Sequence, residues 1–275
     1  MKKLFFIITY LCLQITFGQQ GIKINLDSLQ QEYNQAKSSG NIETEISSLF
    51  EIFKLNRDEI ANYSLAYELG IELEALLIRN KNLNVSRKVA PFFYNKMAWL
   101  YHSQSRYKKS IEYYYIALEY AKKQGLDELA FDIKTSIIFN LHLSKQEDES
   151  HKLIDSLMQI ATKEKNKKQL SKLHYTYYTL NIEDADPNEA LKHVKKSFFK
   201  LTPRDSSHRY INLGTCYSRL KVNDSALFYT FKGLEIAKKY NFIQQQSNAH
   251  SQLKAIYLEI EDFEKAMLHT IEFEK

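Results

Sequence analysis

Glycine and proline are scarce in this chain. Its 275 residues contain 7 Gly and 3 Pro, well below the usual share of roughly 7% and 5%. A β-sandwich or a doubly wound α/β fold of this length needs many turn glycines, so those folds are excluded. Cysteine is nearly absent as well, with 2 in the whole chain. Cys12 lies in the N-terminal apolar run, so beyond it Cys216 stands alone and no intramolecular disulfide is available. A single cysteine of this kind reads as a small buried residue. Beyond residue 20 no apolar run approaches the length of a membrane span. Neither sign of charge dominates: 38 Lys and Arg face 33 Asp and Glu. The most basic stretch, Lys163-Glu164-Lys165-Asn166-Lys167-Lys168, lies between two helical patterns and reads as a solvated loop. It is no nucleic-acid footprint, which would form a stripe along one face. What is abundant is aromatic: 19 Tyr and 16 Phe, within a composition 44% hydrophobic and 26% charged. That balance belongs to a globular, all-helical protein with an aromatic core.

The N-terminus reads Met1-Lys2-Lys3, then an apolar run from Leu4 to Leu13, then Thr16-Phe17-Gly18. A short basic region, a short apolar region and small residues before Gln19 make a secretory signal peptide over residues 1–18. The expected mature chain, 19–275, is exported, periplasmic or cell-envelope associated in a bacterium, without a membrane span. Asn62-Tyr63-Ser64, Asn84-Val85-Ser86 and Asn223-Asp224-Ser225 match glycosylation acceptors, relevant only in a host that modifies secreted proteins.

The aromatics repeat in phase. Tyr94, Met97, Ala98, Tyr101, Tyr107, Ser110, Tyr114, Ala117, Leu118 and Ala121 have the same offsets as Tyr210, Leu213, Gly214, Tyr217, Asn223, Ala226, Thr230, Gly233, Leu234 and Ala237. Each set describes a helix, a tight turn and a second helix, with large residues set against Ala, Gly or Ser where helices cross closely. The pattern resembles the tetratricopeptide repeat, a 34-residue helix–turn–helix unit. The resemblance is clearest over 91–124, 207–240 and 247–275, and weaker over 42–79, 127–164 and 168–201. It implies a right-handed superhelical α-solenoid of about five to six repeats, one continuous domain from 19 to 275. In finer detail the chain resembles the exported sensory or interaction region of Bacteroidetes-type envelope and regulatory proteins. The expected elements include Ile42–Leu55 and Glu59–Ile78, a linker from Asn80 to Val85, a repeat opening at Pro91, and a helix from Pro187 to Leu201.

In that family the partner is a peptide or protein lying along the concave side lined by the first helices. Carried over by phase, the groove positions include Asn95, Trp99 and His102, then Phe139 and His142, then Ile211, Thr215 and Arg219. Trp99 is the only Trp, a candidate aromatic anchor or a packing residue. Arg219 is the only Lys or Arg at these positions, so a cationic carboxylate clamp is not supported. Catalytic signatures are missing. The chain carries no H-E-x-x-H, no glycine-rich nucleotide loop and no G-x-S-x-G elbow, and no cofactor or metal is implied. The expectation is a non-catalytic, exported scaffold binding a protein or peptide, with no nucleic-acid partner. A second reading is a ligand-sensing input domain of a histidine-kinase or DNA-binding regulator system, working with a membrane-bound signalling partner.

Overall fold

The computed structural model describes residues 25–182 and 186–274. The expected signal segment, 1–18, lies outside the described residues. Among them there are thirteen helices and no strand. They form two compact units, dividing between Ser144 and Lys145. The first unit contains α1 (25–39), α2 (Ile42–Asp58), α3 (Tyr63–Arg79), α4 (Asn84–Ser103), α5 (Tyr107–Lys123) and α6 (Asp127–Leu143). The second contains α7 (Glu147–Lys163), α8 (Lys167–Asn181), α9 (Pro187–Lys196), α10 (Pro203–Arg219), α11 (Asn223–Lys239), α12 (Ile243–Glu259) and α13 (Phe263–Glu274).

The helices keep a strict rhythm. Most are 17 residues long, and three-residue turns join them, so α5, α6, α7 and α8 begin at 107, 127, 147 and 167. The helices are therefore longer than a 34-residue repeat allows, and a full hairpin step is 40 residues, as from α10 at 203 to α12 at 243. Each turn places one residue in the left-handed region at the same step: Ser105, Gly125, Lys145, Lys165, Lys221, Asn241 and Glu261. The backbone bonds are those of a Schellman motif. Ser105 N–H donates to the His102 carbonyl at 2.8 Å and Arg106 N–H to the Tyr101 carbonyl at 2.9 Å. The same pair recurs after α11, from Asn241 to Lys238 at 3.2 Å and from Phe242 to Ala237 at 2.9 Å. Lys, Asn, Glu and Ser hold a position that usually belongs to glycine, which is how a helical-hairpin protein manages with so few.

Amphipathic faces close each unit. Along α4, Val89, Ala90, Phe93, Tyr94, Met97, Ala98 and Tyr101 are buried at helical spacing. Phe93 meets Phe53 of α2 with ring centroids 5.5 Å apart. In the second unit one cluster joins Tyr178, Ala190, Val194, Leu213 and Cys216, and another joins Ile211, Leu234, Ala249, Leu253 and Tyr257. Gly214 is a true close approach: a Cβ there would sit 3.0 Å from the Ala226 carbonyl and collide with Thr230. Cys216 is fully buried, and burial pushes its thiol up to about 11, which keeps it protonated and unreactive.

Two sequence expectations need correction. α4 starts at Asn84, so Pro91 lies inside the helix and does not open it. The helix tolerates the missing N–H because the side chain of Gln124 donates to the freed Arg87 carbonyl. In the second unit, α9 stops at Lys196 instead of Leu201. The Ser197 carbonyl is taken by Ser171 Oγ and, at 3.0 Å, by Arg209 Nε. The chain then leaves the helix through Lys200 at positive φ and enters α10 through Thr202 and Pro203, an N-cap and first-turn pair.

Candidate partner-binding face

First helices are joined side by side within each unit by side-chain bonds that recur at nearly one repeat. In the first unit, His102 Nδ1–H of α4 donates to Asn140 Oδ1 of α6 at 3.1 Å. Asn140 is held in turn by its own amide on the Ser136 carbonyl at 2.8 Å. Lys96 of α4 pairs with Asp58 at the end of α2 at 2.5 Å. In the second unit, Asn212 Nδ2 of α10 donates to the Tyr175 hydroxyl of α8 at 3.1 Å. Thr215 Oγ1 donates to Gln252 Oε1 of α12 at 3.3 Å. The Gln245 amide of α12 meets His208 Nε2 of α10 at 3.1 Å. Arg219 donates to the Ile182 carbonyl at the end of α8. All four bonds of the second unit span 37 residues.

The expected groove residues divide by environment. Trp99 is half-buried, with the Arg57 guanidinium 4.5 Å over its ring and the Tyr63 ring 5.3 Å away. It clamps the α2/α3 hairpin onto α4 and presents only part of its surface. Asn95, His102, Phe139 and His142 are likewise half-buried, and His142 Nδ1 is buried without a hydrogen-bond partner. Thr215 and Arg219 sit on the first-helix side of the second unit, half-buried and engaged as described. Ile211 is a correction: it is 5% exposed and packs with Leu234, Ala249 and Leu253 in the core, so it is closed to a partner. Phase also placed His208 among the groove positions, and the structure joins to it and to Thr215 residues that phase did not single out: Tyr175, Asn212, Gln245 and Gln252. Their signal in the sequence is a polar residue paired with another 37 positions away, a spacing visible only once the 40-residue step is known.

Apart from Arg219, the groups bonded between first helices of the second unit are uncharged. Burial holds the His208 imidazole below its ordinary value, so near neutrality it serves as a neutral hydrogen-bonding group. Burial also lowers Arg209, whose guanidinium stacks 4.0 Å over Tyr175 behind the ladder. Amides, hydroxyls and a neutral imidazole at regular steps supply donors and acceptors suited to an extended backbone. Among the described residues, no three His, Cys, Asp or Glu gather so as to hold a metal ion, and no helix is long and apolar enough to cross a membrane.

No family model matches the chain, and no curated protein matches it. Solved structures do. The apo form of the quorum sensor NprR from B. thuringiensis aligns with a TM-score of 0.66 at 13% identity, covering 87% of this chain and 67% of that one. The Rap conjugation gene regulator of plasmid pLS20, solved in complex with the Phr* peptide, gives 0.65 at 15% identity, covering 84% and 66%. A signal transduction ATPase from Pyrococcus horikoshii with a tetratricopeptide repeat sensor gives 0.61 at 13% identity, covering 90% of this chain and 39% of that one. At such identities the likeness shows the fold alone. The chain is a tetratricopeptide-like, all-α protein built from helical hairpins.

Proposed function

We propose that this chain is an exported, non-catalytic scaffold that binds a peptide or an extended protein segment along the first helices α8, α10 and α12. The observation that carries the reading is the polar ladder Asn212–Tyr175, Thr215–Gln252 and His208–Gln245. It sets neutral donors and acceptors at regular steps on one side of the second unit. Trp99, Phe139 and the His102–Asn140 pair offer a smaller aromatic and polar surface on the first unit. The Phr* complex of the structurally similar Rap regulator supports a peptide as the partner class. The basic and apolar start of the sequence supports export. A second reading, a ligand-sensing input domain acting through a membrane-bound signalling partner, is favoured by the fold shared with a quorum sensor and with a repeat sensor.

The test is selection from a displayed random peptide library, followed by fluorescence polarisation with the enriched peptides. Replacing Asn212 and Gln252 together by Ala should weaken binding about tenfold or more while circular dichroism stays helical. Enrichment of no peptide, or peptides that bind the double variant equally well, refutes the reading.

A further inference from the structure

In several hairpins a residue of the first helix faces one of the second helix 19 positions further on. Tyr94 faces Tyr113 in this way, with ring centroids 5.8 Å apart, and Tyr210 faces Tyr229 at 6.3 Å. In the α8/α9 and α12/α13 hairpins both places hold histidine. His174 and His193 have centroids 4.9 Å apart and Nδ1 atoms 3.2 Å apart. His250 and His269 repeat the arrangement at 5.2 Å and 2.9 Å. The α6/α7 hairpin has Lys134 and Leu153 at these places. Where one member of a described pair is histidine, the other is histidine too. Shape alone does not require this, since tyrosine fits both places. What the joint exchange supplies is two ring nitrogens that meet at one point between the helices.

We propose that each histidine pair is an exchangeable site for a divalent cation of the zinc or copper class, held between the two Nδ1 atoms. Imidazole nitrogen is a favoured donor to these ions. Two such nitrogens on one tetrahedral ion, each at about 2.0 Å, stand about 3.3 Å apart. The 3.2 Å between His174 and His193 matches that separation, and the 2.9 Å between His250 and His269 asks for a slight opening. Near neutrality the ion displaces no net proton. The ring that donates through Nδ1 carries its proton on Nε2 instead, and both Nδ1 lone pairs become free. Burial favours the neutral form of all four rings, the form a ligand must have. His193 Nε2 lies 4.0 Å from Glu189 Oε2, so a carboxylate stands ready to take that N–H, as one commonly does behind a metal-bound imidazole.

Neighbouring charges set the strength. Lys192 and Lys196 act on the first pair and Lys238 on the second, opposed by Glu189 and Glu272. Lys192 is itself bridged to Glu189 at 3.0 Å. Two protein ligands, water in the remaining positions and lysines nearby make a weak, reversible site, unlike a structural one with four protein ligands. A bound ion ties the first helix of the hairpin to the second. His174 meets α9, while its neighbour Tyr175 meets Asn212 of α10, so metal uptake and peptide capture can each fail without the other.

Titration of the purified chain with Zn²⁺ in competition with a chromophoric chelator tests the proposal. Uptake of one ion per pair is expected, with a Kd on the order of 10 µM. His174→Tyr with His193→Tyr should remove one ion, and His250→Tyr with His269→Tyr the other, since tyrosines already face each other at 210 and 229. His102, His142, His151 and His208 remain in every variant and report adventitious binding. Electron paramagnetic resonance of the unaltered chain with less than one equivalent of Cu²⁺ needs no variant, and two imidazole nitrogens per ion are expected. Zn²⁺ uptake unchanged in the quadruple Tyr variant overturns the proposal. So does the absence of uptake up to about 1 mM, or Cu²⁺ held by a single imidazole. The pairs would then be hydrogen bonds between helices and nothing more.

Discussion

Gln124 Nε2 donates to the carbonyl of Arg87 at 2.6 Å, the one carbonyl of α4 that Pro91 leaves without its helical donor. Gln124 caps the end of α5, so a residue at the close of one helix repairs a defect in the middle of its neighbour. Gln124→Ala should destabilise the chain by about 0.5–1 kcal/mol, at the lower end for a hydrogen bond because the site is exposed to water. In a Pro91→Ala background the backbone regains an N–H at that position, which satisfies the Arg87 carbonyl, and the same substitution should have almost no effect. Urea unfolding of the four proteins of this double-mutant cycle measures the coupling. Equal losses in both backgrounds would show that the two residues act independently.

The left-handed turn residues define a second prediction. Lys165, Lys221 and Glu261 hold φ values of 53°, 60° and 61°, a conformation that costs an ordinary side chain about 1–2 kcal/mol relative to glycine. Part of that gain is offset by the freedom glycine adds to the unfolded chain. Each substitution to Gly should therefore raise stability by about 0.5–1 kcal/mol. Gly125→Ala, at φ 65°, should lower it by a similar amount. Thermal melts of the single variants and of the triple variant decide the matter, with the three gains expected to add because the turns are separate.

Arg209 supports the early end of α9. It is 5% exposed, donates to the Ser197 carbonyl and lies over the Tyr175 ring. Arg209→Ala should cost about 2–3 kcal/mol, the range for a buried charge-assisted hydrogen bond. Arg209→Lys should recover little of it, because a point charge on a flexible stem cannot donate from an Nε position and stack at once. If the Lys variant unfolds at the urea midpoint of the unaltered chain, charge alone explains the role of Arg209.

The helical hairpins were legible in the sequence because close crossing demands a large residue and a small one at fixed places. Tyr94 with Ala98, and Tyr210 with Gly214, could be aligned by offset alone. What the offsets could not show is where tertiary partners override the local pattern. Phe198 and Leu201 continue the apolar period of α9, yet the helix stops at Lys196 because side chains from α8 and α10 take the Ser197 carbonyl. The repeat match opens at Pro91, yet α4 runs through that residue from Asn84, with Gln124 bonded to the freed Arg87 carbonyl. Ile211 has the phase of a groove residue, but it packs on Leu234 of α11 and Leu253 of α12 in the core, while its neighbours Ser207, His208 and Asn212 bond to Gly233, Gln245 and Tyr175. Of the polar ladder, repeat phase placed Thr215 and His208 but not their partners, which lie 37 residues away in sequence and are ordinary polar residues when taken alone.

The same hairpin register that holds Tyr210 stacked on Tyr229, with centroids 6.3 Å apart, holds His174 with His193 and His250 with His269. Their Nδ1 atoms are 3.2 Å and 2.9 Å apart, so in each pair one neutral imidazole donates and the other accepts. Burial lowers all four, taking His174 down to about 4. Neighbouring charges act on both pairs. Lys192 and Lys196 add to the depression of His174 and His193, which Glu189 opposes at His193. Lys238 adds to it at His250 and His269, where Glu272 opposes it. Because the folded values lie below the ordinary 6.5, the unfolded chain binds more protons in this window. The stabilisation is complete above about pH 6.5 and is lost as pH falls, for His174 until about 4. The urea midpoint should therefore fall between pH 7 and pH 5, where most carboxylates are still ionised. Replacing all four histidines by Tyr, the residue that the register already accepts at 210 and 229, should flatten that fall. Should the quadruple variant lose as much as the unaltered chain over the same interval, the imidazole pairs are not the source of the acid sensitivity.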